Sequence, residues 1–126
     1  TMTTHYNFSD YKKGGVKIEL ILSLLMYITL VTSVAMLFHN PVILMAVLMG
    51  LSVFYLYWVN TNRANITYTI GCLLGPTGES LCVYLGAWDY AHTSLIPIWL
   101  PFAWGLVSVV FDNLNQAISE LKGEWK

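Results

Sequence analysis

Residues 20–62 read LILSLLMYITLVTSVAMLFHNPVILMAVLMGLSVFYLYWVNTN, and this stretch decides the fold. It holds no Asp, Glu, Lys or Arg. Drawn as one helix it would be about 60 Å long, twice the hydrocarbon thickness of a bilayer. It must fold back, and His39-Asn40-Pro41 marks the place. Asn is a favoured helix N-cap, and Pro is pre-set for the first helical position. The pattern predicts helix 1 over about 18–38 and helix 2 over about 41–59, joined as a tight hairpin.

Working outward, the composition agrees. Of the 126 residues, 56% are hydrophobic and 10% charged, against about 45–50% and about 25% in soluble globular domains. The chain is too apolar and too aromatic to be disordered. Six basic residues against seven acidic ones leave no electrostatic footprint for nucleic acid. The expected partners are instead the lipid bilayer, other protein subunits or further copies of the chain, and an apolar, lipid-like ligand.

Asn60 to Asn65 is a polar connection. Helix 3 is predicted over about 66–87 and helix 4 over about 95–111, with Pro97 in its first turn. An apolar stripe at Val110, Leu114, Ile118 and Leu121 has helical spacing, so helix 4 should continue as an amphipathic tail. The expectation is an all-α integral membrane protein, one domain over residues 1–126 with four transmembrane helices. Residues 1–17 and 112–126 form its terminal segments. Continuous apolar runs, rather than alternating ones, argue against a β-barrel. The first run lacks a small-residue cleavage pattern, so it reads as a retained helix.

Orientation follows from the basic residues. Lys12, Lys13 and Lys17 precede helix 1, Arg63 separates helices 2 and 3, and Lys122 and Lys126 follow helix 4. In a four-helix arrangement all six fall on one side, which the positive-inside rule makes cytoplasmic. A multi-pass protein of the plasma membrane with both termini in the cytoplasm is expected.

Chemistry concentrates on Glu79. By sequence it is the one acid inside the predicted bilayer core, where a carboxylate costs a few kcal/mol or more unless protonated or paired. No Lys or Arg lies at that depth. A general acid, a proton or ion site, or a buried group that pins helix packing would each use such a residue. Cys72, Gly75, Glu79, Cys82 and Gly86 follow at steps of three and four, as on one helical face. Gly71-x-x-x-Gly75 is a close-packing pattern, and Gly75-Pro76 predicts a kink. Cys72 and Cys82 are about 15 Å apart along a helix, beyond the reach of a disulfide. His39, Asp89 and His92 lie in the two predicted outer turns and form a candidate metal-ligating set. Trp99 and Trp104 are candidates for lining a pocket. Asp112 reads as a solvated boundary residue. The chain has no nucleophile elbow, P-loop, dinucleotide fingerprint, CxxC pair or haem motif, so no cofactor is assigned.

Residues 75–105 read GPTGESLCVYLGAWDYAHTSLIPIWLPFAWG. A Gly-rich approach to a membrane Glu precedes a Gly-x-aromatic-x-Tyr turn, then Ile-Pro, then a further Pro and Trp. This resembles the membrane-embedded carotenoid hydratases and, more distantly, small membrane-bound terpene cyclases. The resemblance covers about a quarter of the chain. It implies that Glu79 is the acid and Asp89 a second carboxylate. Those families have more helices than this chain supplies.

Three functions fit the sequence. The first is an accessory or structural subunit of a larger membrane complex, because four short-looped helices enclose little room for a substrate. The second is an isoprenoid-modifying enzyme in which Glu79 protonates an alkene. The third is a proton-coupled transport module.

Overall fold

The structure is a computed structural model and describes residues 15–90 and 95–124. Four α-helices account for most of them: α1 (Gly15–Leu37), α2 (Pro41–Val59), α3 (Asn62–Tyr84) and α4 (Leu100–Glu124). The all-α expectation holds for these residues. Two helices, α1 and α2, are long and apolar enough to cross a membrane.

Each boundary has a local cause. Pro41 opens α2 as its first residue, and the Asn40 carbonyl accepts from Leu44 N–H at 3.0 Å. The Asn40 side chain makes no capping bond. Asn60 closes α2 in the left-handed region (φ 51°), its N–H donating to the Leu56 carbonyl. Asn tolerates that conformation better than most residues. Helix α3 starts four residues before its predicted position because Thr61 caps it, its hydroxyl oxygen accepting from Ala64 N–H at 3.1 Å.

Gly86 has a different role from the one its spacing predicted. With φ +83° it terminates α3 instead of extending its face. Ala87 N–H bonds the Cys82 carbonyl at 2.8 Å and Gly86 N–H the Val83 carbonyl at 3.1 Å, which is the Schellman arrangement. Helix α4 starts at Leu100, later than predicted. Proline suits a first turn, where its missing N–H has no intrahelical partner, and is costly in an interior. A helix begun at Leu95 would place Pro101 in its interior, its ring against the Pro97 carbonyl. Instead Pro101 opens α4 and Pro97 forms a preceding turn. Helix α3 runs on through Pro76.

The helices alternate in direction. Glu19 near the start of α1 meets Trp58 near the end of α2, and Arg63 at the start of α3 meets Asp112 at the middle of α4. The start of α1 also meets the last turns of α4, where Val16, Leu20, Ala117 and Leu121 cluster. These contacts define a near end of the bundle; the 38–40 turn and residues 85–90 and 95–99 lie at the far end. Of the predicted stripe on α4, Val110 is buried, Leu114 and Leu121 are partly buried, and Ile118 is exposed.

Helix α4 packs on all three other helices, most extensively on α3. Three glycines set that approach. A Cβ on Gly71 would sit 2.8 Å from the Trp104 carbonyl oxygen, and one on Gly75 would sit 2.7 Å from Trp104 Cβ. On the opposite helix, a Cβ on Gly105 would sit 2.9 Å from the Tyr68 ring. Small residues at such a contact let two backbones come close. Replacing Gly71 with Ala should therefore destabilise the protein by about 1–3 kcal/mol through overpacking. Gly78→Ala, with open space around its Cβ position, should be neutral or stabilising by up to about 1 kcal/mol, because Ala is the better helix former. Thermal unfolding in detergent measures both, and equal effects would refute the close approach.

Candidate functional site

Glu79 lies toward the far end of α3, half-buried. Three donors converge on its carboxylate. Trp104 Nε1 of α4 donates to Oε1 at 3.2 Å, Trp88 Nε1 donates to Oε2 at 3.2 Å, and the Tyr90 hydroxyl donates to Oε2. An indole N–H can only donate, so this set complements an acceptor. Among the described residues no Lys or Arg pairs with Glu79.

Local sequence builds this arrangement. Gly75, one turn before Glu79, leaves the space that the Trp104 indole fills. Gly86 stops α3 so that the chain doubles back, bringing Trp88 and Tyr90 to a side chain nine and eleven residues earlier. One carboxylate thus ties α3, the connecting segment and α4 together.

Tyr90 also faces a cleft. Its ring, with Val34, Ala35, Phe38, Pro97 and Trp99, lines a half-open space of about 240 Å³ at the far end of α1. Tyr90 and Trp99 meet edge to face, centroids 6.4 Å apart and planes at 87°. Burial first, then the hydrogen bond to Glu79 and its charge, push the Tyr90 phenol well above its usual range. It stays protonated, and so a donor, through neutral pH.

The other residues singled out by sequence fall elsewhere. Asp89 is exposed and is not among the groups holding Glu79. His39 is exposed, its ring centroid 3.8 Å from that of Phe38. His92 lies outside the described residues. Among the described residues no three His, Cys, Asp or Glu side chains group closely enough to hold a metal ion. Trp99 does line a cleft, whereas Trp104 serves Glu79. Cys72 and Cys82 are free thiols.

Two polar groupings at the near end were not read from sequence. Glu19, placed by its neighbours in a polar stretch, is 1% exposed and takes a hydrogen bond from Trp58 Nε1 at 3.1 Å. Glu79 is therefore not the only acid inside the protein. The signal was present: Val16, Glu19, Ser23, Met26 and Leu30 step by three and four, and all are buried. Asp112 is an inter-helix anchor rather than a solvated boundary residue. Arg63 grips it with two bonds of 2.9 and 2.8 Å, and Gln116 adds a third at 2.9 Å. Between these, the buried Tyr55 hydroxyl joins Ser23 and Asn113 at 2.8 Å each. Tyr68 donates to Ser52 at 2.8 Å.

No protein-family model, curated protein or solved structure matches the chain.

Two measurements test the Glu79 clamp. Glu79→Gln keeps the shape but replaces a charged acceptor, and should cost about 1–3 kcal/mol with a red shift of tryptophan emission. An unchanged spectrum and melting point would show that the indoles do not depend on it. For Tyr90, a raised folded pKa means that stabilisation is intact below the unfolded value of about 10 and is lost as pH rises beyond it. The melting-point difference between the wild type and Tyr90→Phe should be flat from about pH 7 to 9 and shrink above about pH 10. A difference that widens with pH would contradict the assignment.

Proposed function

We propose that the chain is a four-span integral membrane protein acting as an accessory or structural subunit of a larger membrane complex. In this reading α3 and α4 cross the bilayer with α1 and α2. The near end faces the cytoplasm of a plasma membrane. Lys17, Arg63 and Lys122 all belong to that end, which supports the orientation.

The observation that carries the subunit role is the use made of Glu79. Both its oxygens are engaged by neutral donors, Trp88 and Tyr90 after α3 and Trp104 of α4. That is what a group holding helices together needs, and an acid aimed at a substrate would have an oxygen left for it. The outer surfaces add support. Ile21, Leu25 and Ile28 on α1, and Val42, Met49 and Val53 on α2, are exposed at helical spacing. Contiguous apolar faces of this kind suit lipid tails and neighbouring helices, not water. The proton-transport reading gains nothing from the middle of the bundle. There Leu30, Leu44, Leu48 and Leu106 are fully buried between the Tyr55 group and Glu79.

Purification from native membranes in mild detergent tests the role. The expected result is a stable assembly in which other integral subunits accompany the chain in fixed ratio. A lone chain that keeps its melting point after removal from the membrane would overturn it.

One observation favours the isoprenoid-modifying enzyme as a second reading. Tyr90 connects Glu79 to an apolar cleft, and protonating an alkene needs an acid beside a water-poor pocket. Glu79 would be the acid and Asp89 a second carboxylate, as the resemblance to carotenoid hydratases implies. Turnover of an isoprenoid alkene that survives Glu79→Gln would end that reading.

A further inference from the structure

The cleft at the far end of α1 has a composition that ordinary helix packing does not require. Three of its six lining residues are aromatic: Phe38, Tyr90 and Trp99. Tyr90 and Trp99 stand almost perpendicular, so the cleft has two aromatic walls at a right angle. The ring face of an aromatic side chain carries negative potential and attracts cations. Tyr90 is reinforced in this respect by its own partner. Its O–H donates to the Glu79 carboxylate, which pushes electron density into the ring, since hydrogen-bonded groups polarise one another. Glu79 itself is one phenol ring behind the wall, and among the described residues no Lys or Arg offsets its charge.

We propose that this cleft binds the trimethylammonium group of a quaternary amine. The remaining walls, Val34, Ala35 and Pro97, are apolar and offer no hydrogen-bond donor or acceptor from their side chains. They suit methyl groups and not a hydrated primary ammonium. The space, about 240 Å³, is below the roughly 300–1,000 Å³ of drug-sized sites and fits a compact head group. Phe38, Tyr90 and Trp99 touch the ligand, and Glu79 acts through Tyr90 as a positioning residue. The same chemistry is presented by a choline lipid head group and by free choline. The proposal goes with the subunit reading, since the enzyme reading gives the same cleft to an alkene and makes Glu79 its proton donor.

The test uses the full chain in neutral detergent, with tryptophan emission as the readout. Choline is compared with 3,3-dimethyl-1-butanol, its uncharged isostere. Choline should bind saturably and at least about tenfold more tightly than the alcohol, as cation–π attraction in a desolvated site requires. Phe38→Leu keeps bulk at a partly exposed position and removes the ring. It should weaken choline about fivefold to tenfold and the alcohol by less, so that the ratio between the two narrows. Glu79→Gln should narrow the ratio between the two ligands. Choline and the alcohol binding alike, or Phe38→Leu leaving choline unaffected, would overturn the proposal. Nanodiscs then separate the sources. Choline affinity lower in phosphatidylcholine than in phosphatidylglycerol discs supports a lipid head group as occupant, and equal affinity supports a soluble amine.

Discussion

Everything at the far end depends on how closely α3 approaches α4. Gly71, Gly75 and Gly105 remove the side chains that would hold the two backbones apart. The gap left at Gly75 is filled by Trp104, and only in that position does the indole N–H reach Glu79. The carboxylate in turn collects Trp88 and Tyr90, and Tyr90 forms a wall of the aromatic cleft. A dispersion contact between two helices therefore sets the position of a charged group, which sets the shape of a loop. If α3 and α4 cross the bilayer as proposed, the hydrophobic effect offers little drive between them, and such contacts and polar ties carry the specificity.

Polar ties are placed where they fix register. Glu19 with Trp58, Tyr55 with Ser23 and Asn113, and Arg63 with Asp112 pin the near end. Glu79 and its donors pin the far end. The middle is made of leucines, which would tolerate sliding by one turn. A slide of about 5.4 Å would unpair every tie at once, so one register is selected. Burial of unpaired polar groups is costly enough to enforce this even where the apolar contacts are interchangeable.

The hairpin was legible because its signals are local. Charge-free residues 20–62, interrupted by His39-Asn40-Pro41, place α2 at Pro41–Val59 without any knowledge of what it touches. Gly71-x-x-x-Gly75 was legible as a contact, and Glu79 as the residue to watch. What sequence did not disclose is what those features meet. Trp104 is 25 residues from Glu79, and nothing in their spacing pairs them. Gly86 kept step with the helical face and yet ends the helix, because a terminator and a packing glycine look alike in one dimension. Glu19 was hidden because it ends the polar stretch that precedes the apolar run in the sequence. Pro97 and Pro101 both suit a first turn, and only their mutual distance of four decides between them.

The centrality of α4 has a consequence for how the chain is made. It follows the other three described helices in the chain, yet each of them packs on it, while α3 touches α2 only at its margin. A chain emerging from the ribosome can pair α1 with α2 as soon as both exist. Helix α3 then waits without its main partner until α4 is synthesised. Assembly of the second half is therefore a late and concerted event. During that interval the glycine face of α3 and the Glu79 carboxylate are open to whatever lies beside them.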